Sequence, residues 1–162
     1  MLIPAYPDDM SLSELRTPEI LLVATLRVFA EGAWSSHPRD WSEGLVAADV
    51  PAQGIEGLAR LFDVIAVAPR RKLAVACIHC RTLCPDEGLF LQLIATLQRK
   101  DVLIAKEILQ NWIAPAAARA ALPYAQLLAD GLARQGLLLP RRSAMADAFA
   151  GNSRFPVPDY LH

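Results

Sequence analysis

Residues 85–99 read Pro-Asp-Glu-Gly-Leu-Phe-Leu-Gln-Leu-Ile-Ala-Thr-Leu-Gln-Arg. Proline fits the first turn of a helix, and the two carboxylates after it favour the positive end of the helix dipole. Large apolar residues then recur every three or four positions, which is the spacing of a helix that buries one face. The stretch predicts a helix from Pro85 to about Arg99.

A similar start signal occurs earlier in the chain. Thr17-Pro18-Glu19 supplies a hydroxyl, a proline and a carboxylate in the order that opens a helix. This helix is expected to run to about Glu31, with Gly32 as its stop. Its residues are apolar on nearly every side, which is typical of a helix in the middle of a core or in a subunit interface.

Three further helices follow from apolar periodicity, caps and prolines. The last of them contains Pro123, which predicts a kink or a break near Leu122 because proline lacks the N–H that an inner helical turn needs. The three predicted helices cover about 55–67, about 102–112 with Asp101 as a possible cap, and about 115–136.

The composition supports an all-α fold. Of the 162 residues, 54% are hydrophobic and 20% are charged, and alanine and leucine, both strong helix formers, dominate. We therefore expect one domain over 1–162, built as a single-domain bundle of about five or six helices. Residues 1–16 are expected to form an N-terminal arm, and 143–162 an extended C-terminal tail.

Several classes of protein are disfavoured. The N-terminus has no secretory signal, and the most apolar run, 20–30, is shorter than the roughly 20 residues that span a membrane and contains Arg27. A net charge of −1 makes a nucleic-acid partner unlikely on global grounds. The three cysteines are clustered and odd in number, which favours a reduced, cytoplasmic protein.

The densest group of reactive side chains is Cys77-Ile78-His79-Cys80-Arg81-Thr82-Leu83-Cys84-Pro85. The apolar run that begins at Leu73 fits either a buried helix or a short strand, because periodicity does not separate short apolar runs, and the surrounding helices favour a helix over Leu73–Leu83. On such a helix Cys77, Cys80 and Cys84 share an arc of about 60°, with His79 on the opposite side. The favoured interpretation is that the thiols extend the core, with Cys77 and Cys80 mostly buried and not joined by a disulfide.

A metal site is the first alternative for this cluster. The spacing C-x2-C-x3-C-P is similar to the last three cysteines of the bacterial ferredoxin run, which would make Cys77, Cys80 and Cys84 ligands of an iron–sulfur cluster or zinc. Ala74 stands where that run has its first cysteine. On a straight helix Cys77 and Cys84 would also lie about 10 Å apart along the axis.

Thiol redox chemistry is the second alternative. Cys77-Ile78-His79-Cys80 resembles the C-x-x-C motif of thioredoxin-like oxidoreductases. The rest of the chain lacks the βαβ pattern which that fold requires. A simpler form of the hypothesis is an exposed cysteine pair beside Arg81 that oxidises reversibly.

A DNA-binding regulator is the third possibility. The passage from Ala125 to Gly136, followed by Leu-Leu-Leu-Pro-Arg-Arg at 137–142, resembles the recognition helix and wing of winged-helix regulators. The side chains that it would expose make a poor set for binding phosphates. These are Gln126, Asp130, Arg134 and Gln135.

A pocket is also conceivable around the aromatic loop that follows the first helix. Its candidate lining is Trp34, His37 and Trp41, with His79 as a further candidate. Large aromatic residues in loops more often anchor the loop on the core.

The leading functional hypothesis is a non-catalytic helical interaction or regulatory module without a cofactor. The sequence contains no phosphate-binding glycine loop, nucleophile elbow or paired-carboxylate signature, so an enzyme is disfavoured. The apolar first helix predicts a homodimer, or a protein partner, with contacts through that helix or the region around Pro123.

Overall fold

The computed structural model describes residues 2–33 and 40–142. This part of the chain is 61% helical and contains no β-strand, which confirms the predicted all-α bundle of five or six helices. The helices are α1 (Thr17–Gly32), α2 (Glu43–Ala47), α3 (Ala52–Val67), α4 (Pro85–Gln98), α5 (Val102–Leu109) and α6 (Pro115–Arg134).

Helix α4 forms the centre of the bundle. Eleven of its 14 residues are buried, and it packs against α1, α5 and α6. Its first turn is held by Glu87, whose carboxylate accepts the backbone N–H of Cys84 at 3.0 Å. The most enclosed helix is therefore α4, whereas α1 leaves Ile20 45% exposed.

Helices α3 and α6 pack backbone to backbone. A Cβ atom added at Gly57 would lie 2.5 Å from the carbonyl oxygen of Tyr124, and one at Gly54 would lie 3.2 Å from that of Leu127. Gly131 of α6 contributes the matching small residue, with its Cα 3.6 Å from the same added Cβ at Gly54. A side chain at Gly57 would hold the two helices apart, while Gly54 and Gly131 allow the close approach beside it.

The predicted break near Leu122 is wrong, because α6 continues through Pro123. Pro123 lies on the exposed side of the helix, while Ala121 and Ala125 on either side of it are buried. Packing of the inner face against α3 thus supports the helix across the one backbone hydrogen bond that proline cannot make.

The N-terminal arm is attached to the bundle through both side chains and backbone. Tyr6 and Met10 are buried. The Leu83 N–H donates to the carbonyl of Met10 at 2.9 Å, and the Leu12 N–H donates to that of Arg81 at 2.8 Å. The arm therefore supports the loop that carries the cysteines. The predicted extended tail, 143–162, lies outside the described residues.

The predicted helix at Leu73–Leu83 is also wrong. This stretch is non-helical, and a turn lies within it. The N–H of Ala74 donates to Asp86 at 2.7 Å, and that of Ala76 donates to Glu87 at 3.2 Å. Carboxylates from the first turn of α4 bind this segment in its non-helical conformation, so a tertiary contact overrides local propensity.

Within 2–33 and 40–142, every helix is too short or too polar to cross a lipid bilayer.

Candidate functional site

Cys77 and Cys80 lie at the two ends of a tight turn, and we call them the thiol pair. The N–H of Cys80 donates to the carbonyl of Cys77 at 3.1 Å, which closes the turn. The two sulfur atoms lie 2.6 Å apart, and both residues are free cysteines. Cys77 is exposed and Cys80 is half-buried. The expectation that both thiols are core residues is therefore wrong.

The two thiols differ in acidity. The Cys80 thiol as a hydrogen-bond partner lowers the pKa of Cys77, and the N–H groups of His79 and Cys80 and the charge of Arg27 act in the same direction. The same sulfur contact raises the pKa of Cys80. Because the thiolate is the reactive form of cysteine, this difference favours thiolate formation at Cys77 over Cys80.

Arg27 of α1 fixes the turn by hydrogen bonds to its backbone carbonyls. Its guanidinium is 3% exposed and donates from Nη1 to the carbonyl of Cys80 at 2.6 Å and from Nη2 to that of Thr82 at 2.9 Å. It also pairs with the fully buried Glu87, with Nε 2.7 Å from Oε1. Arg81, the arginine next to the pair in sequence, is exposed. The arginine that contacts the turn is Arg27, which lies 50 residues earlier in the chain than Cys77 and has no sequence signal that links it to the cysteines.

Asp86 anchors the other end of the loop. Its carboxylate accepts two hydrogen bonds from Arg71, at 2.6 and 2.7 Å, and one from the indole N–H of Trp112 at 3.0 Å. Burial alone would raise the pKa of Asp86, but the hydrogen bonds from Arg71, Trp112 and the Ala74 N–H outweigh it and hold that pKa below its usual value. The Asp86 carboxylate therefore anchors this end of the loop through several hydrogen bonds.

Cys84 stands apart from the thiol pair. It precedes α4, and its thiol donates to the carbonyl of Ala74 at 2.9 Å. Burial raises the pKa of the Cys84 thiol, which disfavours its thiolate. In the described ranges, no group of three or more His, Cys, Asp or Glu side chains is placed to hold a metal ion. The zinc or iron–sulfur alternative at Cys77, Cys80 and Cys84 therefore has no assembled ligand set there.

An open groove of about 620 Å³ adjoins the thiol pair. Residues 72–78 form one side, and Arg27, Ala30 and Glu31 of α1 form the other. Cys77 and Cys84 both contribute to its lining. The Cys77 thiol therefore lies beside a groove that is large enough to hold part of another molecule.

The predicted aromatic pocket is only partly visible. Trp34 and His37 lie outside the described residues. Trp41 meets the Phe62 ring edge-on, with centroids 5.4 Å apart, and so anchors its loop on the core. It lines a shallow groove with α1 and α2, and His79 is not among the described residues lining that groove. His79 is instead exposed on the cysteine turn.

Of the four side chains expected to face DNA, Gln126 and Asp130 contact other parts of the bundle, whereas Arg134 and Gln135 are exposed. Gln126 donates to the carbonyl of Leu97 at 3.2 Å, and Asp130 pairs with Lys100 at 2.6 Å. Arg142, from the basic pair after α6, pairs with the buried Glu19 at 2.7 Å. The winged-helix hypothesis therefore stays a prediction, with Arg134 and Gln135 as the exposed members of its set.

No family model, curated protein or solved structure matches this chain significantly. The site is therefore interpreted from its own geometry.

Proposed function

We propose that the protein is a thiol redox protein that uses Cys77 and Cys80. The observation that carries the proposal is the contact between the two sulfur atoms, 2.6 Å apart in an exposed turn. A disulfide bond of about 2.05 Å needs only a small further approach of these atoms. The lowered pKa of Cys77 and the raised pKa of Cys80 supply an attacking and a resolving thiol.

The chemistry is dithiol–disulfide exchange. The Cys77 thiolate attacks one sulfur of a substrate disulfide, forms a mixed disulfide and releases the other substrate sulfur as a thiolate. Cys80 then loses its proton and attacks the Cys77 sulfur, which releases the second substrate thiol. Two electrons pass to the substrate, and the protein ends with a Cys77–Cys80 disulfide. A reducing compartment such as the cytoplasm suits a protein with three free cysteines.

Redox titration with glutathione tests this function. The wild type should form one internal disulfide, while Cys80→Ser should stop at a mixed disulfide on Cys77 because no resolving thiol remains. Cys84→Ser is the matched control and should titrate like the wild type. Oxidation of all three cysteines at equal rates, or failure of Cys77 and Cys80 to form a disulfide, would overturn the proposal.

The interaction module, which is the leading hypothesis from the sequence, is the second candidate here, and one surface favours it. Ile20 of α1 is 45% exposed, and it lines an apolar groove of about 120 Å³ with Leu12, Val28 and Ile78. Covering such a surface with a second copy of the chain is the commonest solution for an apolar helix face. This supports a homodimer through the outer face of α1.

Sedimentation at micromolar concentration tests the dimer. Ile20→Glu should convert a wild-type dimer to monomer by placing a charge in the interface. Val67→Glu is the control, because Val67 is 84% exposed at the end of α3 and does not line this groove in the described structure. A wild type that sediments as a monomer rules out the dimer.

A further inference from the structure

The loop segment 73–77 has two backbone edges. The backbone groups on one edge are hydrogen-bonded within the protein, and in the described structure those on the other edge, called the open edge, are not. The N–H and the carbonyl of Ala74 and the N–H of Ala76 all bond to groups at the start of α4. Alternate residues of an extended chain direct these groups to the same side, as Ala74 and Ala76 do, which predicts that those of Leu73 and Val75 face the opposite side. Within the described ranges, no hydrogen bond reaches the backbone N–H or carbonyl of Leu73 or Val75.

This open edge borders the groove of about 620 Å³ described above. Leu73 and Val75 are half-buried, and Ala30 of α1 stands on the other side of the groove. An unpaired extended edge is a template for another extended chain, because its main-chain donors and acceptors are complemented by a second main chain. The apolar lining offers contacts for alternate side chains of that chain.

The charges around the groove argue against an anionic ligand. The guanidinium of Arg27 is already paired with Glu87 and with two loop carbonyls. Of the other charged residues in the lining, Lys72 is basic and Glu31 is acidic. Recognition here therefore depends on main-chain hydrogen bonds and apolar contact more than on net charge, which fits a polypeptide better than a phosphate or a nucleic acid.

Cys77 stands at the end of this edge and lines the same groove. We propose that the groove binds an extended polypeptide segment along Leu73–Cys77 and presents a disulfide-bonded cysteine of that segment to the Cys77 thiolate. The substrate class is therefore a protein disulfide in an extended stretch. This inference rests on the proposed redox function and assigns its substrate.

The reaction is dithiol–disulfide exchange between the thiol pair and the cysteine of the bound segment. A bond forms between the Cys77 sulfur and the cysteine of the bound segment, and that cysteine's former partner leaves as a thiolate. Cys80 gives up its proton and displaces the segment's cysteine. The thiol pair loses two electrons to the substrate disulfide. The two substrate sulfurs take up two protons, one released by Cys80 and one from solvent, which had received the proton of Cys77 when its thiolate formed.

Two matched peptides test the inference on the wild-type protein. Each contains alternating valine and threonine around one cysteine that is disulfide-linked to glutathione, and one of the two is N-methylated at alternate residues. The unmodified peptide should oxidise the thiol pair about tenfold faster than the methylated one, because only its N–H groups can pair with the open edge. Equal rates would overturn the inference.

A variant gives the reciprocal test. Val75→Pro removes the outward N–H and leaves the bonds of Ala74 and Ala76 to α4 in place, since a residue before proline remains extended. Its preference for the unmodified peptide, which is the ratio of its rates with the two peptides, should fall toward one. Retention of the full preference counts against the edge. If neither peptide nor glutathione disulfide oxidises the wild type, the redox function itself fails.

Discussion

Glu19 and Glu87 occupy equivalent positions in their helices. Each is fully buried, each accepts the backbone N–H of the residue that precedes its helix, and each is paired with an arginine from a distant segment. The sequence indicates the glutamates as helix-start residues. It does not indicate their partners, Arg142 and Arg27, because these pairings arise only when the chain has folded.

Replacing Arg27 by methionine should destabilise the protein strongly. The change leaves the Glu87 carboxylate buried without its partner, which costs about 3–5 kcal/mol of unfolding free energy. Urea denaturation measures this cost. Arg60→Met is the control, since Arg60 and Glu56 form an exposed pair whose loss costs at most about 1 kcal/mol. Similar losses in the two variants would contradict the role given to the buried pair.

Arg27→Met should also change the acidity of the Cys77 thiol. Arg27 holds the carbonyl of Cys80 and helps to lower the pKa of Cys77. In Arg27→Met, the pH profile of Cys77 alkylation should therefore shift to higher pH. An unchanged profile in the folded variant would show that Arg27 stabilises the bundle without positioning the thiol pair.

At the scale of the elements, the long helices could be predicted from sequence. Proline–carboxylate starts locate α1 and α4, and the Asp101 side chain does cap α5 by accepting the Ile104 N–H at 3.3 Å. Helix α2 has only five residues, too few to show a period. Residues 73–83 were assigned wrongly because their backbone donors bond to α4, a partner that local pattern cannot reveal.

The candidate site could be predicted only in part, because its geometry also depends on tertiary contacts. Cys77 and Cys80 are visible as a C-x-x-C spacing, but their exposure depends on whether the segment is a helix or a turn. Their pKa difference and the adjoining groove follow from the turn and from Arg27. These are tertiary features, so sequence spacing alone left the structural, metal and redox interpretations open.

The contact between α3 and α6 is expected to be intolerant of a methyl group. Gly57→Ala would place a Cβ 2.5 Å from the carbonyl oxygen of Tyr124 and must push the helices apart, at a cost of about 1–3 kcal/mol. Thermal unfolding measures the loss. Gly44→Ala is the comparison, because its Cβ would meet only the end of the Leu21 side chain at 3.1 Å. Equal stability of the two variants would show that the helices can separate freely.

For the whole molecule, stability should pass through a plateau near neutral pH. Burial alone would raise the pKa values of Glu19 and Asp86, but hydrogen bonds from Arg142 and Arg71 lower both overall. Groups with a depressed folded pKa stabilise the fold above their unfolded pKa of about 4, and this contribution is lost as the pH falls. Acid should therefore destabilise the bundle.

The alkaline limit has a different origin. Burial, together with the hydrogen bond to Glu19, raises the pKa of Tyr6 far above its usual value. A raised folded pKa stabilises the fold below the unfolded pKa of about 10, and the contribution is lost as the pH rises further. Denaturation curves across pH should show this decline, and Tyr6→Phe should reduce it. An alkaline limb that is identical in the variant would exclude Tyr6 as its cause.

The position of Trp112 gives the molecule a built-in optical probe. Its indole is fully buried and donates to Asp86, the same carboxylate that holds Arg71 and the Ala74 N–H at the start of the cysteine loop. A rearrangement of that loop should alter the electric field at the indole and shift its fluorescence emission. Subtracting the spectrum of Trp112→Phe isolates this signal from the other two tryptophans, so the state of the loop can be followed without attaching a dye.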